Sequence, residues 1–117
     1  MSSRVQAFLN KAVRILYRNW KGELALRVIV PTGELYWGKN QWHKEEQWLL
    51  DAVDIEKCAV RSFAILGILY TEAACLLEET LSARSLALLQ DALSKPNFPQ
   101  SLLTFHPEQT LIENTGS

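Results

Sequence analysis

The sequence predicts a mainly β domain with flanking helices, an α+β arrangement whose five short antiparallel strands form a strongly bent sheet or partly open barrel. Three observations predict it. Apolar and polar residues alternate in Val13 to Arg18, Gln47 to Val53 and Val60 to Leu66, the period-two pattern of a strand with one buried face. Turn-forming groups punctuate the chain between such runs: Asn19-Trp20-Lys21-Gly22, Pro31-Thr32-Gly33 and Gly38-Lys39-Asn40. No segment between them offers the long crossover that parallel strands require, so the sheet should be antiparallel.

The elements follow in order. Ser2-Ser3 caps a helix reaching about Ala12, with Val5, Phe8, Leu9 and Ala12 at i, i+3, i+4, i+7 spacing. Val13 to Arg18 is the first strand, with Val13, Ile15 and Tyr17 on one face and Arg14, Leu16 and Arg18 on the other. Glu23 to Val30 is the second, ended by Pro31, which cannot continue a central ladder. Glu34 to Trp37, Gln47 to Asp54 and Val60 to Leu66 complete the five. From Thr71 the composition turns to Ala, Leu and Glu, good helix formers, and Thr71 offers an N-cap. The predicted division is 1–70 for the barrel with its N-terminal helix and 71–95 for a helical extension that Ser82 and Ser85 can break in two. Residues 96–117 are a packed loop and a frayed tail.

A 48% apolar and 21% charged composition over 117 residues is that of one soluble globular domain. No apolar run approaches the roughly 20 residues that span a bilayer, so no membrane partner is expected. The opening MSSRVQAFLNK lacks the apolar core of a secretory signal. Together with two cysteines at no metal-ligand spacing, this points to a cytoplasmic protein. Charge is divided unevenly: residues 1–66 carry ten Lys and Arg against seven Asp and Glu, and residues 67–117 two against six. An anionic partner would therefore look to the first part.

Chemistry-bearing residues are few. Arg27 and Arg61 stand inside strands beside apolar neighbours, Arg61 sharing a face with Phe63 and Ile65. One reading lays each stem on the sheet with its head toward water or a carboxylate such as Asp51. The other makes them an anion-binding pair, because the guanidinium fork fits phosphate or carboxylate. Trp48, with Leu50, Phe63 and Ile65, is expected in the core. Trp20 and Trp42 lie in polar, turn-like surroundings and divide between core and base-stacking roles. His43 beside Glu45 and Glu46 has no second ligand at a metal-binding spacing. There is no phosphate-binding glycine loop and no Ser-His-Asp order, so neither a catalytic nor a metal or cofactor role is expected.

Read in order, the helix ending in Ala12, Ile15-Leu16-Tyr17, Gly22, Arg27-Val28-Ile29-Val30-Pro31, Trp48-Leu49-Leu50-Asp51-Ala52 and Arg61-Ser62-Phe63 form a set. This set resembles the WYL-domain family of bacterial regulators over about residues 5–69, with Trp48-Leu49-Leu50 standing for the Trp-Tyr-Leu triplet. It is most similar to short stand-alone members with the Tyr17 to Glu23 and Gln47 to Leu50 stretches. The triplet's tyrosine is replaced by Leu49, and no helix-turn-helix precedes the first strand. The resemblance implies an Sm-like, SH3-type barrel, a ligand-sensing or nucleic-acid-binding role in transcription regulation, basic ligand-facing residues at Arg27 and Arg61, and the strand tyrosine at Tyr17.

The expected function is thus a non-enzymatic regulatory module. It binds a nucleotide or single-stranded nucleic acid at Arg27 and Arg61, flanked by Tyr17 and Trp20. The alternative is a protein-interaction module that forms a homodimer or binds a regulatory protein through residues 71–95.

Overall fold

The computed structural model describes residues 3–39, 44–96, 98 and 99. Six antiparallel strands and two helices are arranged as α1 (Ser3–Leu9), β1 (Val13–Arg18), β2 (Leu24–Pro31), β3 (Tyr36–Gly38), β4 (Gln47–Asp54), β5 (Ala59–Ala64), β6 (Ile68–Ala73) and α2 (Ala83–Ser94). All six strands join one sheet. β1 lies between β2 and β6, while β4 pairs β5 on one side and both β2 and β3 on the other. The mainly β reading holds, with one strand more than predicted. Among the described residues the pairing path is open, with no ladder joining β5 to β6, rather than a closed five-stranded barrel.

The sixth strand falls where the sequence predicted helix. Thr71 to Ala73 pair with Val13 to Ile15, so the helix-forming Ala and Glu that follow Thr71 do not set the local structure. What decides is Ile68-Leu69-Tyr70-Thr71, a β-branched and aromatic run whose pairing with β1 places Ile68 against the core. Helix α2 begins only at Ala83, capped by Ser82, whose side chain accepts from the Ser85 amide at 3.1 Å. β5 likewise ends earlier than predicted, at Ala64, and the tight turn Ile65–Gly67 leads into β6. A Cβ on Gly67 would sit 2.5 Å from the Arg18 carbonyl oxygen, so only glycine lets this turn cross the end of β1.

Residues paired directly across an antiparallel ladder point to one face, which divides the side chains in two. The inner face carries Val13, Ile15, Tyr17, Ile29, Ala52 and Phe63, which pack as one core with Leu50 and Ile68 at its margin. The outer face contributes Val30 and Val53 to a second core built with Val5, Phe8, Leu9 and Ala12 from the N-terminal segment and Leu89, Ala92 and Leu93 from α2. Phe98 closes this core edge-on against Phe8, ring centroids 5.2 Å apart. The predicted apolar positions of the first helix are all buried. The apolar stripe of α2 is likewise spent on its own domain.

Candidate functional site

Arg27 and Arg61 reach one face of the sheet by way of Asp54. Ile15 pairs Arg27, Ile29 pairs Asp54, and Ala52 pairs Arg61. Stepping by two along each strand keeps the face, so Arg27, Asp54 and Arg61 all belong to the inner one. Asp54 is 1% exposed. Its Oδ1 accepts the Lys57 amide at 3.2 Å and its Oδ2 lies 3.8 Å from Arg27 Nη1. Arg27 is partly enclosed, its side chain 25% exposed. Arg61 stands in solvent, and among the described residues it has no ion pair within 4.0 Å. Asp54 is thus the carboxylate that meets an arginine, in place of Asp51. Asp51 faces the other way, where its Oδ1 accepts from Ser62 Oγ at 2.6 Å and from the Tyr36 phenol at 3.1 Å.

Tyr17 does not flank a ligand surface. It shares the inner face with Val13 and Ile15, is 8% exposed, and its phenol oxygen accepts the Ala64 amide at 2.9 Å. Its ring meets Phe63 edge-on at 5.0 Å. Burial raises the phenol pKa, only partly opposed by the hydrogen bond from Ala64. The expected site residue is a strut between β1 and β5.

Trp20 is exposed, but elsewhere. It lies in the β1–β2 turn, which Asn19 organises by accepting the Lys21 and Glu23 amides on its Oδ1, with Gly22 at φ +83°. That turn is three residue pairs beyond the Ile15–Arg27 pair. Lys21 Nζ sits 5.2 Å from the Trp20 ring centroid, a cation–π contact that gives the turn its own positive charge. The structure therefore puts Arg27 and Arg61 on one sheet face, in strands separated by β4, buries Tyr17 in the core of that face and leaves Trp20 in the turn beyond it. Trp42 and His43 lie outside the described residues.

Two features escape sequence reasoning. Trp48 is not core: it is 52% exposed and meets the equally open Trp37 edge-on at 5.6 Å. Trp37 Nε1 also donates to Glu46 at 2.8 Å. The signal was the strand position of Trp48 at the start of β4, where the alternating face has run past the end of the core. The second is Cys58, in the β4–β5 turn with φ +50°. Its Sγ lies 3.3 Å from Ser82 Oγ at the α2 N-cap. Hydrogen bonding from Ser82, then Ser85, lowers the thiol pKa, with a smaller contribution from Arg84. No spacing in the sequence links positions 58 and 82.

Among the described residues no group of three or more His, Cys, Asp and Glu is arranged to hold a metal ion, and no helix is long and apolar enough to cross a membrane. No protein-family model matches this chain, and no curated protein or solved structure does either.

Proposed function

We propose that this chain is a non-enzymatic regulatory or ligand-sensing module that takes an anionic ligand, a nucleotide or single-stranded nucleic acid, on the face bearing Arg27 and Arg61. The observation that carries the reading is the placement of Arg27 and Arg61 on one sheet face, in the strands that flank β4 and its Asp54. Asp54 holds Arg27 in place, and Arg61 keeps its donors for a phosphate. The trio retains one positive charge, so the site suits a single phosphate contact at a time. The small-barrel reading of the fold fits the same picture. What supports it is the three-residue turn Ile65–Gly67 between β5 and β6 and the Tyr17 bond that links β1 to the end of β5, although the β6 edge itself stays unpaired among the described residues.

The test is fluorescence anisotropy of short single-stranded DNA and RNA oligonucleotides, and of labelled nucleotides, across a salt series. Arg61→Ala is expected to weaken binding and to reduce the slope of log K against log salt by about 1, the signature of one lost phosphate contact. Binding that is independent of salt and unchanged in Arg61→Ala overturns the proposal.

A second reading, a protein-interaction module, is favoured by one specific observation. Leu26, Leu16 and Tyr70 form a row across β2, β1 and β6 on the outer face, and Leu26 and Tyr70 are 61% and 56% exposed. Exposed apolar rows of this kind mark contact surfaces. None of these three residues lies in the stretch 71–95 predicted as an interface, and the apolar side of α2 is buried in its own domain.

A further inference from the structure

We infer that the free edge of β6 seats a second copy of this chain, strand against strand, so that two sheets become one across a two-fold axis. The inference deepens the interaction reading above and is independent of the anion site.

Among the described residues β6 pairs with β1 on one side only. Its other side presents a row of backbone N–H and C=O groups, which an extended strand satisfies and a helix does not. Natural edges of this kind are blunted by proline, lysine or an inward charge. Ile68–Ala73, reading ILYTEA, has neither proline nor lysine. Its one charge, Glu72, is already turned toward β1, where Arg14 Nη1 donates to it at 2.7 Å. A bulge at Leu69 is the edge's single irregularity, shown by the register step between Leu16 and Tyr17. The Leu26, Leu16, Tyr70 row runs up to this edge and stops there.

The side chains select a second copy and a register. A two-fold axis normal to the sheet keeps both outer faces on the same side, so outer-face residues must meet outer-face residues. Setting Glu72 opposite its own copy opposes two carboxylates, which disfavours that register. Setting Tyr70 opposite its own copy brings Ile68, beyond the bulge, into the ladder. The remaining arrangement places Thr71 on the axis, beside its own copy, and Tyr70 of each protomer beside Glu72 of the other. The phenol already donates to its own Glu72 at 3.3 Å, so the group it would meet across the axis has the same chemistry. Arg14 stands beside each such contact. Leu26 and Leu16 of both copies then continue one apolar row through the pair of phenols.

The experiment is native mass spectrometry and light scattering over a concentration series from micromolar to millimolar, with two variants. The full chain is expected to shift from monomer to dimer as concentration rises. Tyr70→Lys, at an exposed position that the monomer does not use for packing, should remain monomeric at concentrations where the parent is dimeric, with an unchanged circular dichroism spectrum. In a Cys58→Ser, Cys75→Ser background, Thr71→Cys should form an intermolecular disulfide on mild oxidation, and Leu24→Cys should not. A chain that stays monomeric at millimolar concentration overturns the inference. So does a dimer that survives Tyr70→Lys, or one in which Thr71→Cys fails to cross-link. Arg61→Ala should dimerise as the parent does, which separates this result from the anion-site test.

Discussion

The Tyr17 phenol oxygen accepts the Ala64 amide at 2.9 Å and joins the first strand to the end of the fifth. These strands share no ladder among the described residues, so this side chain supplies a link that backbone pairing does not. Ring contact with Phe63 fixes its direction.

Removing only the hydroxyl tests that link. Tyr17→Phe keeps the ring but takes the acceptor from a buried amide, at a cost of about 1–3 kcal/mol in unfolding free energy by urea titration. The phenol's pKa is raised by burial above its ordinary 10.0, so the fold favours the neutral form. That contribution is fully present below the unfolded value and is lost as the pH rises through the folded one. The parent should therefore lose stability on the alkaline side more steeply than Tyr17→Phe, as measured by urea midpoints taken on both sides of pH 10.0.

Arg27 and Asp54 behave as a unit. Arg27→Ala leaves the Asp54 carboxylate enclosed without its cation. Severing a fully buried pair costs about 3–5 kcal/mol. At 3.8 Å and with the guanidinium a quarter exposed, about 2 kcal/mol is expected instead. Asp54→Asn retains an acceptor for the Lys57 amide and removes the charge, so Arg27→Ala combined with Asp54→Asn should recover most of the loss. A double-mutant cycle by chemical denaturation measures this coupling. The same reasoning makes Arg61→Ala the cleaner variant for binding, because Arg61 is exposed and among the described residues has no carboxylate to abandon.

How far the sequence carries can be judged residue by residue. The first helix and β1, β2 and β4 follow from local periodicity, and the face shared by Arg27 and Arg61 follows once their strands are paired. Thr71 to Ala73 was misread because its composition favours helix, while its conformation is decided by partners in β1, nearly sixty residues earlier. Trp48 was misread for a related reason. Alternation says which face a residue takes, but not where along the strand that face stops being covered. Asp54 and Asp51 are indistinguishable by spacing from Arg27. Register alone sends Asp54 to the arginine and Asp51 to Tyr36 and Ser62.

The Trp37–Trp48 pair should contribute little to stability and much to spectroscopy. Both rings are more than half exposed, so their edge-on contact is expected to supply about 0.5–1.5 kcal/mol of coupling. Trp37→Phe and Trp48→Phe, combined in a cycle, should give a value in that range. Either change alone should remove a near-ultraviolet circular dichroism feature arising from the coupled rings. Glu46→Gln keeps an acceptor for Trp37 Nε1 and should leave that feature in place, whereas Glu46→Ala should diminish it.

Cys58 depends on a residue far from it in the sequence. Its thiol pKa is lowered first by the hydrogen bond with Ser82 and then by Ser85, and Ser82 is also the residue that caps α2. Ser82→Ala should therefore act twice. Loss of the cap costs about 1 kcal/mol of folding free energy. Loss of the hydroxyl beside Sγ raises the thiol pKa and lowers the thiolate fraction near neutral pH, where the thiolate is the reactive form. Alkylation by iodoacetamide, followed by mass spectrometry of the Cys58 peptide across pH, should show a rate profile displaced upward in Ser82→Ala relative to the parent. Ser82→Thr retains both the cap and the hydroxyl and should restore the parent profile. If the profile moves equally in Ser82→Ala and Ser82→Thr, the Ser82 hydroxyl is not what activates the thiol.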